Sequence, residues 1–109
     1  MKFKLSWVNL DPTVGAEMKK TRPCLIVSPD EINTYLRTVI VVPLTSTQRG
    51  LPTRVLIKAT KDSGLNNDSY AALDQVKNID NSTLSGVIGE ISEAEKHAVS
   101  EILKEMFDY

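Results

Sequence analysis

One carboxylate and three cations, Glu17, Lys19, Lys20 and Arg22, fall within six consecutive positions on a polar stretch between two strand-like runs. Such a group suits an anionic ligand or a reaction in which negative charge develops. Cations neutralise that charge, and a carboxylate accepts a proton or holds a guanidinium in place. Arg22 stands where the stretch enters the second run and is followed by Pro23. A guanidinium anchored at a strand is better positioned than a lysine at a loop tip, and its planar fork matches phosphate oxygens. Because a guanidinium gives up a proton near neutral pH only at high cost, electrostatic stabilisation is an easier role for Arg22 than base catalysis, with acid function open. The plainer alternative is a surface ion pair between Arg22 and Glu17. Lys19 and Lys20 either track phosphate or simply solvate the loop.

Other chemistries find little support. His97 is the sole histidine and sits in a helical pattern away from the other polar groups, so one chain cannot supply a histidine pair. CxxC, HExxH and GxxxxGK[ST] are all missing, which removes the usual signatures of zinc hydrolysis and phosphate-loop chemistry. The solitary Cys24 lies inside an apolar run and reads as a packing residue. More hydroxyls and cations follow in Thr45, Thr47, Gln48, Arg49 and Arg54, and Asp74 and Gln75 form a DQ pair in ALDQVKNID. Thr45 either donates to an anion or caps its own turn. Asp74 either contacts a ligand or serves the fold.

The elements that must position these groups are mostly strands. Residues 7–10 alternate like a half-buried strand, Asp11, Pro12, Thr13 and Gly15 break it, and Cys24 to Ser28 form the next run. Pro29 to Asn33 reads as a turn or single helical turn. TVIVVPL, residues 38–44, is β-branched and predicts a central strand whose end Pro43 marks as an edge or bulge. Further strands are expected at 53–57, once or twice within 69–80, and at 87–91. One helix is expected over 93–106: Ser92 and Glu95 make a capping box, and Val99, Ile102, Leu103 and Met106 form an apolar stripe. The result is a single domain, mainly β with a C-terminal α-helix, curled into a small sheet or barrel.

Charge is distributed unevenly over the 109 residues. Up to Gly89 there are 11 Lys and Arg against 8 Asp and Glu; from Glu90 onward the balance is 2 against 6. A net charge of −1 therefore conceals a mildly basic body and an acidic tail, which leaves room for a polyanionic ligand on the body. An acidic helix that merely meets solvent is the equal alternative. No apolar run is long enough to span a bilayer, and the first residues lack a leader pattern, so the expected compartment is the cytoplasm.

The run DPTVGAE followed by KKTRP, with VPLTSTQRGLPTRV and ALDQVKNID further on, resembles the MazF/PemK family of bacterial toxins. The resemblance covers most of the chain, strongly from Trp7 to Ser28 and weakly in the helix. It implies an SH3-like barrel of the MazF/PemK/CcdB type, usually a homodimer, and a metal-independent, cofactor-free endoribonuclease cutting single-stranded RNA, chiefly messenger RNA, at selected sequences by 2'-hydroxyl attack. It also implies neutralisation by an antitoxin carrying an acidic disordered segment. On this resemblance Arg22 is the central catalytic residue, Thr45 donates to the scissile phosphate, and Glu17 acts as proton acceptor, base-edge partner or organiser of Arg22. Lys19, Lys20, Thr47, Gln48, Arg49, Arg54, Asp74 and Gln75 are then RNA-binding candidates. Two departures stand out. Ala72 occupies a position where some members carry an arginine, and Phe3-Lys4 replaces a frequent Gly-Asp. The alternatives are a CcdB-like gyrase-inhibiting toxin, a reading weakened by the ending Met106-Phe107-Asp108-Tyr109, and a catalytically silent RNA- or antitoxin-binding module of the same fold.

Overall fold

The computed structural model describes residues 1–9 and 21–108. Glu17, Lys19 and Lys20 lie outside the described residues. The chain order is β1 (Lys4–Asn9), β2 (Thr21–Ile26), α1 (Asp30–Tyr35), β3 (Thr38–Thr45), β4 (Arg54–Ile57), β5 (Ser69–Ala72), β6 (Lys77–Asp80), β7 (Leu84–Glu90) and α2 (Glu93–Phe107). Short 3-10 turns at Leu73–Gln75 and Asn81–Thr83 follow β5 and β6.

The strands form one antiparallel sheet in the order β4-β5-β3-β2-β1-β7, with β6 also pairing β3. In a flat sheet β1 and β4, four places apart, would stand roughly 19 Å from each other at the usual strand spacing. Yet Leu5 of β1 shares one buried cluster with Val55 and Ile57 of β4, together with Leu25, Val42, Ala71 and Val99. The sheet must curl around that cluster. This is the small barrel with a C-terminal helix that the residue pattern predicts. A second, smaller cluster of Val8, Cys24, Ile26, Val39 and Val41 occupies the opposite face of β1, β2 and β3, where Ile79 and Leu84 pack against it.

Two prolines explain how β2 and β3 depart from the predicted strands. β2 begins at Thr21, not Cys24, so Arg22 and Pro23 are inside it. Its ladder with β3 starts only at Cys24, and Pro23 thus lies where β2 has a single neighbour and a missing N–H is tolerated. Pro43 is neither at the edge of the sheet nor a bulge: it pairs with Cys24 on one side. On the other side β6 ends its pairing at Val41 and β5 begins at Leu44, so Pro43 fills the gap where β3 changes partner. β1 begins earlier than expected, at Lys4, and β7 at Leu84, where Gly86 and two register shifts against β1 break the alternation that would have announced it.

The helix is as predicted, one residue longer. Ser92 accepts from the Glu95 N–H at 3.2 Å, and Glu95 accepts from the Ser92 N–H at 2.9 Å. The other Glu95 oxygen accepts from the Lys58 N–H at 2.9 Å, tying the first turn of α2 to the end of β4. Val99 is fully buried, with Ile102, Leu103 and Met106 against the main cluster. The helix is a packing element, and His97 lies on its exposed side.

Candidate active site

Arg22 and Thr45 lie at the same end of two neighbouring strands, β2 and β3. β2 and β3 are antiparallel, with Cys24 opposite Pro43 and Leu25 opposite Val42. The ladder between them ends at Cys24 and Pro43, two residues short of Arg22 and Thr45, which stand at the same end of these neighbouring strands. Both side chains then lie on the face of the second cluster, since residues two apart along a strand share a face. The row extends outward: Val8 pairs with Arg22, and Tyr70 pairs with Thr45. Arg22 is exposed and Thr45 partly so. Thr45 Oγ1 accepts from the Thr47 N–H at 3.2 Å, which turns the chain after β3 and leaves the hydroxyl proton free to donate.

Burial pushes the Cys24 thiol up to about 11, against the opposing pull of Lys77 and Arg22. Cys24 is fully buried and is a packing residue, as its apolar setting predicts. Lys77 is exposed and pairs with Val41 in β6, on the same face as Arg22. It is a cation that reading ALDQVKNID for its DQ pair alone overlooks. The signal was the alternation of VKNID, which sends Lys77 and Ile79 to one face.

The remaining candidates divide into two groups. Thr47, Gln48, Arg49 and Gln75 are exposed. Arg49 and Gly50 both adopt left-handed backbone conformations, φ 61° and 64°, so the loop after β3 makes a sharp turn that holds the Arg49 side chain in solvent. Arg54 is different. Its side chain is 5% exposed and its fork is fully engaged: Nε donates to Asp74 Oδ1 at 2.9 Å, Nη2 to Oδ2 at 3.2 Å, and Nη1 to the Thr47 carbonyl at 2.9 Å. Thr53 Oγ1 also donates to Asp74, at 2.9 Å. The arginine fork, then the threonine, hold the Asp74 carboxyl at about 2. Arg54 and Asp74 thus tie the loop carrying Thr47 to the turn carrying Gln75. Sequence spacing cannot reveal a pair separated by 20 positions whose strands meet only through β4–β5 pairing.

Among the described residues, no three His, Cys, Asp or Glu side chains gather as a metal-binding group. On the face of the second cluster the sheet carries a guanidinium, Arg22, a hydroxyl, Thr45, and a lysine, Lys77. That arrangement can bind a phosphodiester and stabilise added charge on phosphorus. Among the described residues no helix is long and apolar enough to cross a membrane.

Known proteins resemble the chain over most of its length. Endoribonuclease MazF9 of Mycobacterium tuberculosis is 38% identical over 103 residues, covering 89% of this chain and 86% of its own. Endoribonuclease MazF3 of the same organism is 33% identical over 93 residues, covering 85% and 88%. The solved structure of Mycobacterium tuberculosis toxin MazF-mt6 superposes with a TM-score of 0.80 at 30% identity and covers 96% of both chains. The model of PemK-like, MazF-like toxins of type II toxin-antitoxin systems matches residues 1–107, and the chain belongs to that family.

Proposed function

We propose that this chain is the toxin of a type II toxin-antitoxin pair and acts in the cytoplasm as a sequence-selective endoribonuclease on single-stranded RNA, chiefly messenger RNA. The observation that carries this reading is the placement of Arg22 and Thr45 on one face and at one end of the adjacent strands β2 and β3. In the proposed reaction the 2'-oxygen attacks the neighbouring phosphorus, its proton passes to a base, and the 5'-oxygen leaves with a proton. No metal ion is required. Arg22 stabilises the charge on the pentacoordinate phosphorus, and the Thr45 hydroxyl donates to a non-bridging oxygen. Glu17 is assigned to the organisation of Arg22 or to proton transfer. Lys77, Arg49, Lys19 and Lys20 are assigned to flanking phosphates, Thr47, Gln48 and Gln75 to polar contacts with RNA, and Arg54 with Asp74 to shaping the loop that presents them.

Two copies of the chain are proposed to pair and share an RNA groove. Support comes from an apolar groove of about 380 Å³ lined by Val27, Ile40, Val76, Leu103 and Phe107, with Phe107 70% exposed. Apolar surface of this kind is typical of interfaces between identical subunits. The antitoxin is proposed to reach the basic face with an acidic segment that orders on binding.

The test is incubation of the purified protein with end-labelled single-stranded RNA in EDTA. Discrete fragments ending in 2',3'-cyclic phosphate are expected, and Arg22→Ala abolishes them. Intact RNA with a folded wild-type protein overturns the reading.

A further inference from the structure

Beside Arg22, the rim of the barrel carries a pocket that the chemistry above does not use. It has a volume of about 160 Å³ and its walls include Trp7, Pro23, Leu65, Asn66, Asn67 and Ser69. Trp7 and Pro23 are register partners on β1 and β2. They emerge on the opposite face from Arg22 but at the same end of the strands. Two walls adjoin the phosphate site through the backbone: Pro23 follows Arg22, and Ser69 precedes Tyr70, the partner of Thr45. The wall formed by residues 64–67 is held against β7 by Gly64. Its φ is +71°, and a methyl group there would overlap the Ile88 carbonyl oxygen.

The lining specifies the ligand. Among the described residues no acidic or basic side chain borders the pocket, so this lining suits a neutral group better than a phosphate or a carboxylate. Trp7 is 41% exposed and offers an aromatic face. Asn66 and Asn67 are exposed, and among the described residues their side-chain amides have no hydrogen-bond partner in the chain. Each amide both donates and accepts, which matches the mixed edge of a nucleobase. The volume falls below the roughly 300 Å³ at which drug-sized sites begin, leaving room for one planar ring system.

We propose that this pocket receives the base of a nucleotide flanking the cleaved phosphodiester, with Trp7 stacking on the ring and Asn66 and Asn67 reading its edge. The proposal rests on the RNA-cleaving reading above and deepens it. Attack by a 2'-hydroxyl in line with the leaving oxygen twists the strand and splays adjacent bases, and single-stranded RNA is recognised by capturing such bases on aromatic rings. With the phosphate on one side of β2 and the base on the other, the strand bends over the rim.

Trp7 is the sole tryptophan, so its fluorescence reports the pocket directly. The Arg22→Ala protein is titrated with a synthetic single-stranded RNA containing a mapped cleavage site, and binding is followed in parallel by gel shift. Saturable quenching of Trp7 is expected, with roughly tenfold or weaker binding after Trp7→Leu. In a second arm, Asn66→Ala/Asn67→Ala in the wild-type background digests a long transcript. The expected result is relaxed base preference at one position beside the cut, while cleavage continues. Both asparagines are exposed, so this variant keeps its fold. Gel-shifted RNA that leaves Trp7 emission unchanged, or an asparagine variant that cuts the same sites at wild-type rates, overturns the proposal. Because wild-type cleavage is scored alongside, either result counts against the pocket and leaves the nuclease reading intact.

Discussion

Thr45→Val keeps the shape and β-branching of the side chain and removes only the hydroxyl. If that hydroxyl donates to the scissile phosphate, its loss withdraws about 2.7–4 kcal/mol of transition-state stabilisation, a fall in kcat of roughly 10²- to 10³-fold. The same substitution also takes the acceptor from the Thr47 N–H, a 3.2 Å bond at a solvent-facing turn. Water replaces that partner, so the fold loses less than the about 1 kcal/mol of an ordinary intramolecular hydrogen bond. The two effects therefore separate: a large loss of rate with little change in melting temperature. Arg22 and Thr45 share one face and one end of adjacent strands, so if both groups address one phosphate their substitutions are coupled. For neighbours of this kind the interaction is about 0.5–3 kcal/mol, so Arg22→Ala/Thr45→Val should retain roughly 2- to 150-fold more activity than the product of the single losses predicts. Single-turnover cleavage of end-labelled RNA in EDTA measures all three variants, and Thr45→Ser should recover most of the rate. A Thr45→Val protein that cuts like the wild type, or a double variant whose loss equals the product, refutes the shared-phosphate geometry.

Three further outcomes follow from the structure. Asp74 and Glu90 are both held at about 2, Asp74 by Arg54 and Glu90 by Lys4 and Lys96. Carboxyls depressed below their unfolded value of roughly 4 contribute stability that is complete above that value and disappears as pH falls toward 2. Urea midpoints should thus drop between about pH 5 and about pH 3, and the drop should shrink in Asp74→Asn/Glu90→Gln. Ser92→Ala breaks the capping box of α2; a loss of about 1 kcal/mol is expected, read in a thermal melt as roughly 4–8 °C. Phe107→Glu places a charge in the apolar groove at the end of α2, and analytical ultracentrifugation should show dimer giving way to monomer while the melt stays cooperative.

Much of this molecule was legible from residue types alone, for identifiable reasons. α2 announced itself because its start signal, apolar stripe and length all agree. β3 did so because seven of its eight residues form a β-branched, apolar run. The positions of Arg22, at the start of β2, and of Thr45, at the end of β3, could be read from the apolar runs they border. Start points failed where a glycine or proline interrupts alternation, as at Gly86 and Pro23, since such residues look like breakers until a neighbouring ladder is known. Arg54 was least legible. Nothing local distinguishes an arginine held by a carboxylate 20 positions away from one awaiting a ligand. The Trp7 pocket was hidden for a similar reason: its walls come from β1, β2 and residues 64–69, brought together only by the curl of the sheet.

That curl has a bearing on how the molecule comes into being. β1 lies between β2 and β7, and the Ile91 N–H and Phe3 carbonyl continue the contact beyond the ladder. On the ribosome, which releases residues from the N-terminus forward, β1 must wait with one flank bare until residues 84–90 have been made. Contacts spanning so much of the polypeptide are slow to form because their loops must close first. A nascent chain long enough to contain Arg22 and Thr45 is still an open sheet, and the strand that covers the free flank of β1 is made only near the end of synthesis.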